Sequence, residues 1–367
     1  MRIGLDVSAL VAPSGGIGTY TRNLWEQMSR RHDAEIVPLA HRRLRDESAT
    51  STAMGRLALN KTLWMQTILP WELQHLDVDL CHFTNNVASV WAPCPTVLTV
   101  HDMSLWLYPQ HHYLRRLLAM RPVIPFAVRR ADAVIAVSKS TQRDIVRILG
   151  VPEAKVHVVY EAPAPAFRRL PPGPALDALQ RRYHLHDLSD GFILFVGTIE
   201  PRKNLVRLLQ ALKLLAKHSL PHHLVIAGQR GWKDKSVYAA VETLGIVDRV
   251  HHLGFVPLDD LVGLYNLAQV LAFPSLHEGF GLPVVEAMAC GTPVVTSPCG
   301  GLAEVAGDAA EIVDPMAVES IAAGLWRVLC EPGRREDLIQ RGAIQARRFS
   351  WTTAAAETRE VYLKALQ

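Results

Sequence analysis

Short apolar runs alternate with longer helical patterns along this chain, and they do so twice, on either side of one proline-rich stretch. In the first half "RIGLDVS", "EIVPLA", "LCHF", "TVLTVHD", "AVIAVS" and "VHVVYEA" read as strands. Helical patterns fit between them, Thr19–Arg31 after "SGGIG" and Lys139–Leu149 after "AVS". The second half repeats the grammar with "FILFVG", "HLVIAG", "VHHLGFV", "VLAFPS", "PVVTS" and "AAEIVD". Strands joined through helices pair in parallel, so the pattern predicts α/β architecture.

Between the halves lies "APAPAFRRLPPGPAL", Ala162 to Leu176, which can continue neither a helix nor a central strand and reads as the linker. At 367 residues the chain is too long for one ordinary core and suits two. The expected fold is two Rossmann-like domains, 1–168 and 176–351, with parallel sheets facing a central cleft. The last helical pattern, 352–367, is expected to cross back to the first domain. A ligand would then lie outside the carboxyl ends of the strands.

Hydrophobic residues make up 49% and charged residues 20%, a soluble globular composition. A net charge of +4 is too small to argue for nucleic acid, and no such partner is expected. The opening "MRIGLDVSAL" reads as a strand, not a secretion signal, and no apolar run reaches membrane-spanning length. Cys81, Cys94, Cys290, Cys299 and Cys330 are odd in number, lack metal-type spacing, and read as small core residues in a reducing cytoplasm. The charge is unevenly spread. "YLRRLLAMRPVIPFAVRRA", Tyr113 to Ala131, carries five arginines and no carboxylate. It reads either as a solvated helix face or as an amphipathic stretch, broken at Pro122 and Pro125, able to rest on an anionic membrane surface.

"FVGTIEPRKNLVRLLQAL" ends a strand at Gly197 and begins a helix near Asn204. Arg202 and Lys203 thus sit at a helix N-terminus, where the macrodipole disfavours each cation by ~0.3–1 kcal/mol. Two cations against that field suggest a bound diphosphate. "HEGFGLPVVEAMACGTPVV" sets Glu278 and Glu286 around a glycine turn, with Pro283 suited to a first helical turn. The main-chain N–H groups of Phe280, Gly281 and Leu282 are expected to face the cleft. Carboxylates beside an anion site would read hydroxyls, Glu286 a ribose and Glu278 a hexose. The helix dipole alone explains Glu286 well and Glu278 poorly. "PSGGIGTYTRNL" is a second glycine loop, in which Gly15, Gly16 and Gly18 permit close approach to an anion. "TVHDMSLW" places His101 and Asp102 at the carboxyl end of a strand, where cleft residues belong.

Taken together, "SGGIGTY", "VHDMSLW", "VSKST", "GTIEPRKNL", "LGFVP" and the glutamate-pair segment resemble the retaining glycosyltransferases of family 4, with the GT-B fold, over essentially the whole chain. The resemblance implies transfer of a sugar from a nucleotide-sugar donor with retention at the anomeric carbon and no metal or other cofactor. It implies that Arg202 and Lys203 grip the diphosphate, with Gly16 approaching from the other lobe. Glu286 would bind ribose, Glu278 and the Phe280–Leu282 backbone the hexose, and Phe255 and Val256 would lie near the base. His101 would contact the hexose beside the reacting carbon. Thr198 stands where many members carry Arg, so the division of charge between Arg202 and Lys203 is left open. The "GTIEPRKN" subset resembles mannosyl- and rhamnosyltransferases of surface polysaccharides, implying GDP-mannose or a 6-deoxy relative as donor and a glycan or polyprenyl-linked acceptor. The expected location is the cytoplasm, and the membrane reading of the arginine-rich stretch would put the chain on the inner face of the plasma membrane.

Other motifs read blandly. Asp77-Val-Asp79 precedes the strand "LCHF" and reads as its leading loop. His222–His223 and His251–His252 lack the spacing that aims two imidazoles at one metal. Ser138 and Lys139 open a helix at the cleft edge, where they would help seat the acceptor, and capping explains Ser138 equally well. Two rival functions share the pattern: a nucleotide-sugar epimerase of the same fold, and a non-catalytic nucleotide-sugar-binding subunit.

Overall fold

A computed structural model describes residues 1–11, 15–42, 61–186, 188, 191–217 and 220–367; Pro13 and Ser14 of the first glycine loop lie outside them. The chain folds as two compact units, Met1–Glu161 with Ser350–Gln367, and Ala162–Phe349. Each is built on a six-stranded parallel sheet.

In unit 1 the strands are β1 (Arg2–Asp6), β2 (Glu35–Leu39), β3 (Leu80–Phe83), β4 (Thr96–Val100), β5 (Ala133–Ala136) and β6 (Val156–Val158), in the order β2-β1-β3-β4-β5-β6. Every residue of β3, β4 and β5 is buried, which is why these strands read as continuous apolar runs and not as alternating ones. The chain leaves β1 toward β2, then returns past it to β3 and continues outward. Right-handed crossovers made in opposite directions lay their helices on opposite faces. Helix Gly16–Ser29 takes one face. Helices Lys61–Leu76, Leu114–Arg130 and Lys139–Leu149 bury Trp64, Met65, Ile124, Val128 and Ile145 on the other, against Cys81, Phe83, Leu98, Val100 and Val134.

Alternate residues of the same strands, His82, Val97, Thr99 and Ile135, point the opposite way. One helix cannot cover them, and the C-terminal helix Trp351–Ala365 completes the layer. It packs on Gly16–Ser29, β4 and β5. Tyr362 Oη meets His82 Nδ1 at 2.7 Å, His82 Nε2 meets Thr99 Oγ1 at 2.8 Å, and Tyr20 Oη lies 2.9 Å from the same Thr99 hydroxyl. The expected return of the last helix is therefore what burial on both faces demands.

Unit 2 repeats the plan with β7 (Phe192–Val196), β8 (His223–Ala227), β9 (Val250–Gly254), β10 (Val270–Phe273), β11 (Val294–Thr296) and β12 (Glu311–Ile312), ordered β12-β11-β10-β7-β8-β9. Here helix Val318–Cys330 fills the incomplete face, packing on Leu205–Lys217 and on β10, β11 and β12. The proline-rich stretch is seated on unit 2. Phe167 is buried edge-on against Tyr265, and Asn266 Oδ1 accepts from Leu170 N at 2.7 Å. Its last residues already belong to helix Pro174–Arg182, whose proline sits in the first turn, where no N–H is needed.

Two local expectations need correction. The helix after the first glycine loop starts at Gly16, not Thr19, because a glycine in the first turn costs little backbone bonding. Helix Leu114–Arg130 runs unbroken through Pro122 and Pro125. Each proline removes one helical hydrogen bond, but Pro122 lies on the exposed side while Ile124, Ala127 and Val128 anchor the other side in the core.

Candidate active site

In unit 2 the strand order reverses between β7 and β10, adjacent parallel strands whose carboxyl-end loops run side by side. Such a reversal opens a crevice above the strand ends, because the two following helices diverge to opposite faces. The loop after β7 carries "GTIEPRKN" and the loop after β10 carries "PSLHEGFG".

Each residue of "EPRKN" has a structural task. Pro201–Lys203 form one 3-10 turn, and Asn204 ends it in the left-handed region at φ 62°. Asn204 Nδ2 donates to Pro274 O at 3.0 Å and to Pro315 O at 2.7 Å, and Leu276 N donates to Arg202 O at 2.8 Å. These bonds fasten the two loops together. They also bring both cations onto Glu278. Arg202 Nη1 donates to Glu278 Oε2 at 2.8 Å, and Lys203 Nζ donates to Glu278 Oε1 at 2.7 Å. Arg202 Nη2 reaches Glu200 Oε1 at 2.6 Å, while Lys203 Nζ lies 4.9 Å from the centre of the Phe273 ring.

This corrects the sequence reading of the cations. Their charge does not stand against the helix dipole unopposed, because Glu278 and Glu200 neutralise it from within the chain. All four side chains are largely buried, and buried cations need partners. Burial alone would raise the Glu278 carboxyl, but the charges of Arg202 and Lys203 and their hydrogen bonds outweigh it and hold the group at about 2.

The glycine turn holds Glu278 in place. Gly281 has φ 114° and caps helix Leu282–Ala289, with Pro283 in the first turn, so the main-chain N–H groups at its start point away from the helix body. Phe280 is buried edge-on against Phe349. Beneath the turn, Gly301 N donates to Glu278 O at 2.8 Å, and a Cβ on Gly301 would stand 2.1 Å from Gly279 O. Gly301 is thus a site residue that sequence reasoning missed, and "CGG" at 299–301 was its available signal. Glu286, eight residues past Glu278, is buried within the helix and accepts from Tyr265 Oη at 2.9 Å. Phe255 is exposed and Val256 buried, both just past β9.

In unit 1 the order reverses between β1 and β3. Gly15 caps helix Gly16–Ser29 after β1, and among the described residues, its chain neighbours aside, nothing lies within 4 Å of where a Gly15 Cβ would stand. His101 follows β4 and is held on every side. Its Nδ1 lies 3.0 Å from Glu161 Oε1 and its Nε2 2.9 Å from Thr84 O, while its main-chain N donates to Asn86 Oδ1 at 2.9 Å. Tyr20 meets the imidazole edge-on, 4.9 Å between ring centres. Burial would lower the imidazole, but the Glu161 hydrogen bond and charge, the Thr84 carbonyl and the nearby Asp102 outweigh it, and the group sits above its ordinary value. Glu161, from the end of "VHVVYEA", was not singled out in the sequence. Asp102 Oδ1 accepts from Ser104 N at 2.9 Å, a local turn bond.

The remaining motifs settle into structural places. Asp79 Oδ2 accepts from Arg2 N at 2.7 Å at the start of β3, and Ser138 Oγ accepts from Thr141 N at 3.0 Å as a helix cap. The two histidine pairs do meet, crosswise. His223 Nδ1 and His251 Nε2 lie 2.9 Å apart across β8 and β9, because strand pairing sets neighbours that sequence spacing cannot. No group of three or more metal-ligating side chains occurs among the described residues. Cys81 and Cys290 are buried as expected, whereas Cys330 is exposed at the end of its helix.

Two family descriptions tile the chain: "Glycosyltransferase Family 4" over residues 14–162 and "Glycosyl transferases group 1" over residues 178–345. The O-antigen chain mannosyltransferase B of Escherichia coli is 35% identical over 267 residues, 72% of this chain and 69% of that protein. The chain belongs to glycosyltransferase family 4. The serotype-specific mannosyltransferase WbdA of Escherichia coli is 29% identical over 78% of this chain, which spans only 35% of its length. Among solved structures, sucrose-phosphate synthase from Thermosynechococcus elongatus superposes with a TM-score of 0.78 at 20% identity, over 99% of this chain and 98% of that one. This likeness carries the GT-B fold.

The Glu278 cluster makes a pH prediction. A carboxyl at about 2 in the folded chain against 4.5 when free contributes stability in full above about pH 4.5, and loses it as pH falls toward 2. The urea midpoint of the native chain should therefore fall more steeply between about pH 5 and pH 3 than that of Glu278→Gln. Parallel slopes would show that Glu278 is not paired as described.

Proposed function

We propose that the chain is a retaining hexosyltransferase of surface-polysaccharide synthesis. It would move mannose or a 6-deoxy relative, with GDP-mannose the favoured donor, onto a glycan or polyprenyl-linked acceptor. The names of the two mannosyltransferase relatives support the sugar and the polymer. The observation that carries the reading is the Arg202–Glu278–Lys203 cluster at the β7/β10 reversal.

On this reading the two cations divide their work. Arg202 is engaged by Glu200, Glu278 and the His277 carbonyl, at 2.5 Å for the last, and holds the loop. Lys203 carries three N–H donors, gives one to Glu278, and brings the others to the donor diphosphate. Its charge, with the N–H groups at the start of Leu282–Ala289, stabilises the leaving diphosphate in the role that a metal ion fills elsewhere. Glu278 accepts from hexose hydroxyls and Glu286 from the ribose. The acceptor hydroxyl attacks on the face from which the diphosphate departs: the anomeric C–O bond to phosphate breaks, the bond to the acceptor forms, and the proton passes to a phosphate oxygen. His101 and Asp102 in unit 1, with Gly15 and Gly16, serve the sugar and phosphates as the family resemblance implies.

The test is a panel of nucleotide-sugars read by thermal shift and then by product NMR. GDP-mannose should shift the melting temperature most, and the product should keep the α configuration of the donor. An inverted product overturns retention, and an altered nucleotide-sugar formed without acceptor overturns transfer. Activity should withstand EDTA; a loss restored by Mn²⁺ or Mg²⁺ would contradict the role given to Lys203. Glu286→Ala should weaken nucleotide and donor alike by about 1.5–3 kcal/mol, since the ribose is common to both. Unchanged nucleotide affinity in a folded variant removes Glu286 from the site.

We also propose that unit 1 rests on anionic membrane. No helix among the described residues is long and apolar enough to cross one. Helix Leu114–Arg130 exposes Leu114, Leu118, Val123 and Phe126 together with Arg115, Arg116, Arg129 and Arg130. Leu63 and Trp71 are exposed on Lys61–Leu76, which shares the same face of the sheet. Arg121 donates to Leu105 O at 2.9 Å, and Arg129 donates to Leu149 O at 3.0 Å from the end of the helix. Each arginine near an anionic surface contributes roughly 1 kcal/mol, screened by salt. Replacing Arg115, Arg116, Arg129 and Arg130 with Ser should abolish flotation with anionic vesicles and lower transfer to a lipid-borne acceptor, while sparing a soluble analogue. A native chain that fails to float at low salt ends the membrane reading.

A further inference from the structure

His101 is the most completely held polar residue at the strand ends of unit 1. Its partners come from separate elements: Thr84 and Asn86 after β3, Glu161 after β6, and Tyr20 from helix Gly16–Ser29. Thr84 is itself fixed, its hydroxyl donating to Asp6 O at 2.7 Å and accepting from Thr21 Oγ1 at 3.1 Å. Asn86 N donates to Thr99 O at 2.9 Å.

The chemistry of these partners decides the state of the ring. A main-chain carbonyl only accepts, so Nε2 must carry a hydrogen toward Thr84 O. An ionised carboxylate also only accepts, and the raised imidazole favours that charge state, so Nδ1 carries one toward Glu161. Both nitrogens are donors, and the pair is imidazolium with carboxylate. Glu161 is buried and has no competing cation in the contacts described, so its charge is spent on His101. The other titratable groups facing this ring are Asp102 beside it, Tyr20 on its edge, and His82 behind it. His82 is pushed down to about 3 by burial and stays neutral, so it does not compete for the positive charge.

We propose that Glu161 is the positioning residue of His101: it locks the imidazole doubly protonated, with both N–H groups consumed, so that His101 serves transfer as a fixed strut and not as a proton acceptor. The inference rests on the transferase reading above. It explains why the acceptor's proton must leave by the departing phosphate, since no ring nitrogen of His101 has a lone pair to take it. Loss of the His101 proton would set a bare nitrogen against an acceptor, release the loop after β4, and slow transfer. Activity should therefore fall on the alkaline side as His101 deprotonates, and Glu161 should set where that happens.

The experiment follows the His101 ring by NMR in the full chain, assigned with His101→Gln, while donor turnover is profiled against pH. In the native chain the His101 midpoint should lie above the ordinary value of about 6.5. Glu161→Gln should bring it down by roughly 1–3 pH units, and the alkaline limb of kcat should move with it, while KM for the donor changes little. At about pH 8 this is a loss of tenfold or more relative to the native chain, recovered toward pH 5.5. Glu161→Asp, which keeps the charge, should restore most of the midpoint and covers the case in which the amide variant fails to fold. A native His101 that titrates at or below its ordinary value overturns the inference, as does a kcat profile that ignores the shift. The titration needs no donor, so a chain that transfers no sugar would refute the transferase reading while the state of His101 is still measured.

Discussion

Glu278 stands between two cations that the chain brings to it from 75 and 76 residues away, and the architecture of unit 2 converges on that contact. The contact exists because β7 and β10 are neighbours at the reversal of strand order, so the loops leaving them run together. Asn204 ties one loop to the end of β10, and Gly301 supports the other from below. Removing one member of such a buried cluster leaves an uncompensated charge, at a cost of about 3–5 kcal/mol. The same burial that makes the cluster costly to break makes it strongly coupled to any anion that enters it.

Unit 1 solves a related problem differently. At the carboxyl ends of its strands His101 is matched by Glu161, Nδ1 to Oε1 at 3.0 Å. The layer beneath includes the C-terminal helix, connected through Tyr362, His82, Thr99 and Tyr20 to the surroundings of His101. Trp351 adds a second contact, its ring edge-on to Tyr20 at 5.8 Å. A helix needed to cover the sheet thereby also braces the residue at its carboxyl end.

The strands were legible because central parallel strands are buried on both faces, so "TVLTV" and "FILFV" carry no charged interruption. The return of the last helix was legible from its pattern, and its necessity from counting faces. Of the site, the residue types in "EPRKN" and "HEGFG" raised the expectation of an anion, and the structure brings those two loops together at Glu278. The partnership of Lys203 with Glu278, and of His101 with Glu161, was not legible, since each joins loops that only strand order makes adjacent. The crosswise contact of His223 with His251 escaped for the same reason. Pro122 and Pro125 misled because propensity describes an isolated helix, while Ile124 and Val128 hold this one against a core.

The central claim is that Lys203, oriented by Glu278, meets the far phosphate of a nucleoside diphosphate. Calorimetry of GDP and GMP against the native chain and Lys203→Met tests it directly. Methionine keeps an unbranched side chain one atom shorter and removes the charged Nζ, with its contact to the Phe273 ring. The account predicts a loss of about 1.5–3 kcal/mol for GDP, the scale of a charged hydrogen bond, with GMP affinity nearly unchanged. Equal losses for both nucleotides, or none for either in a folded variant, would contradict it.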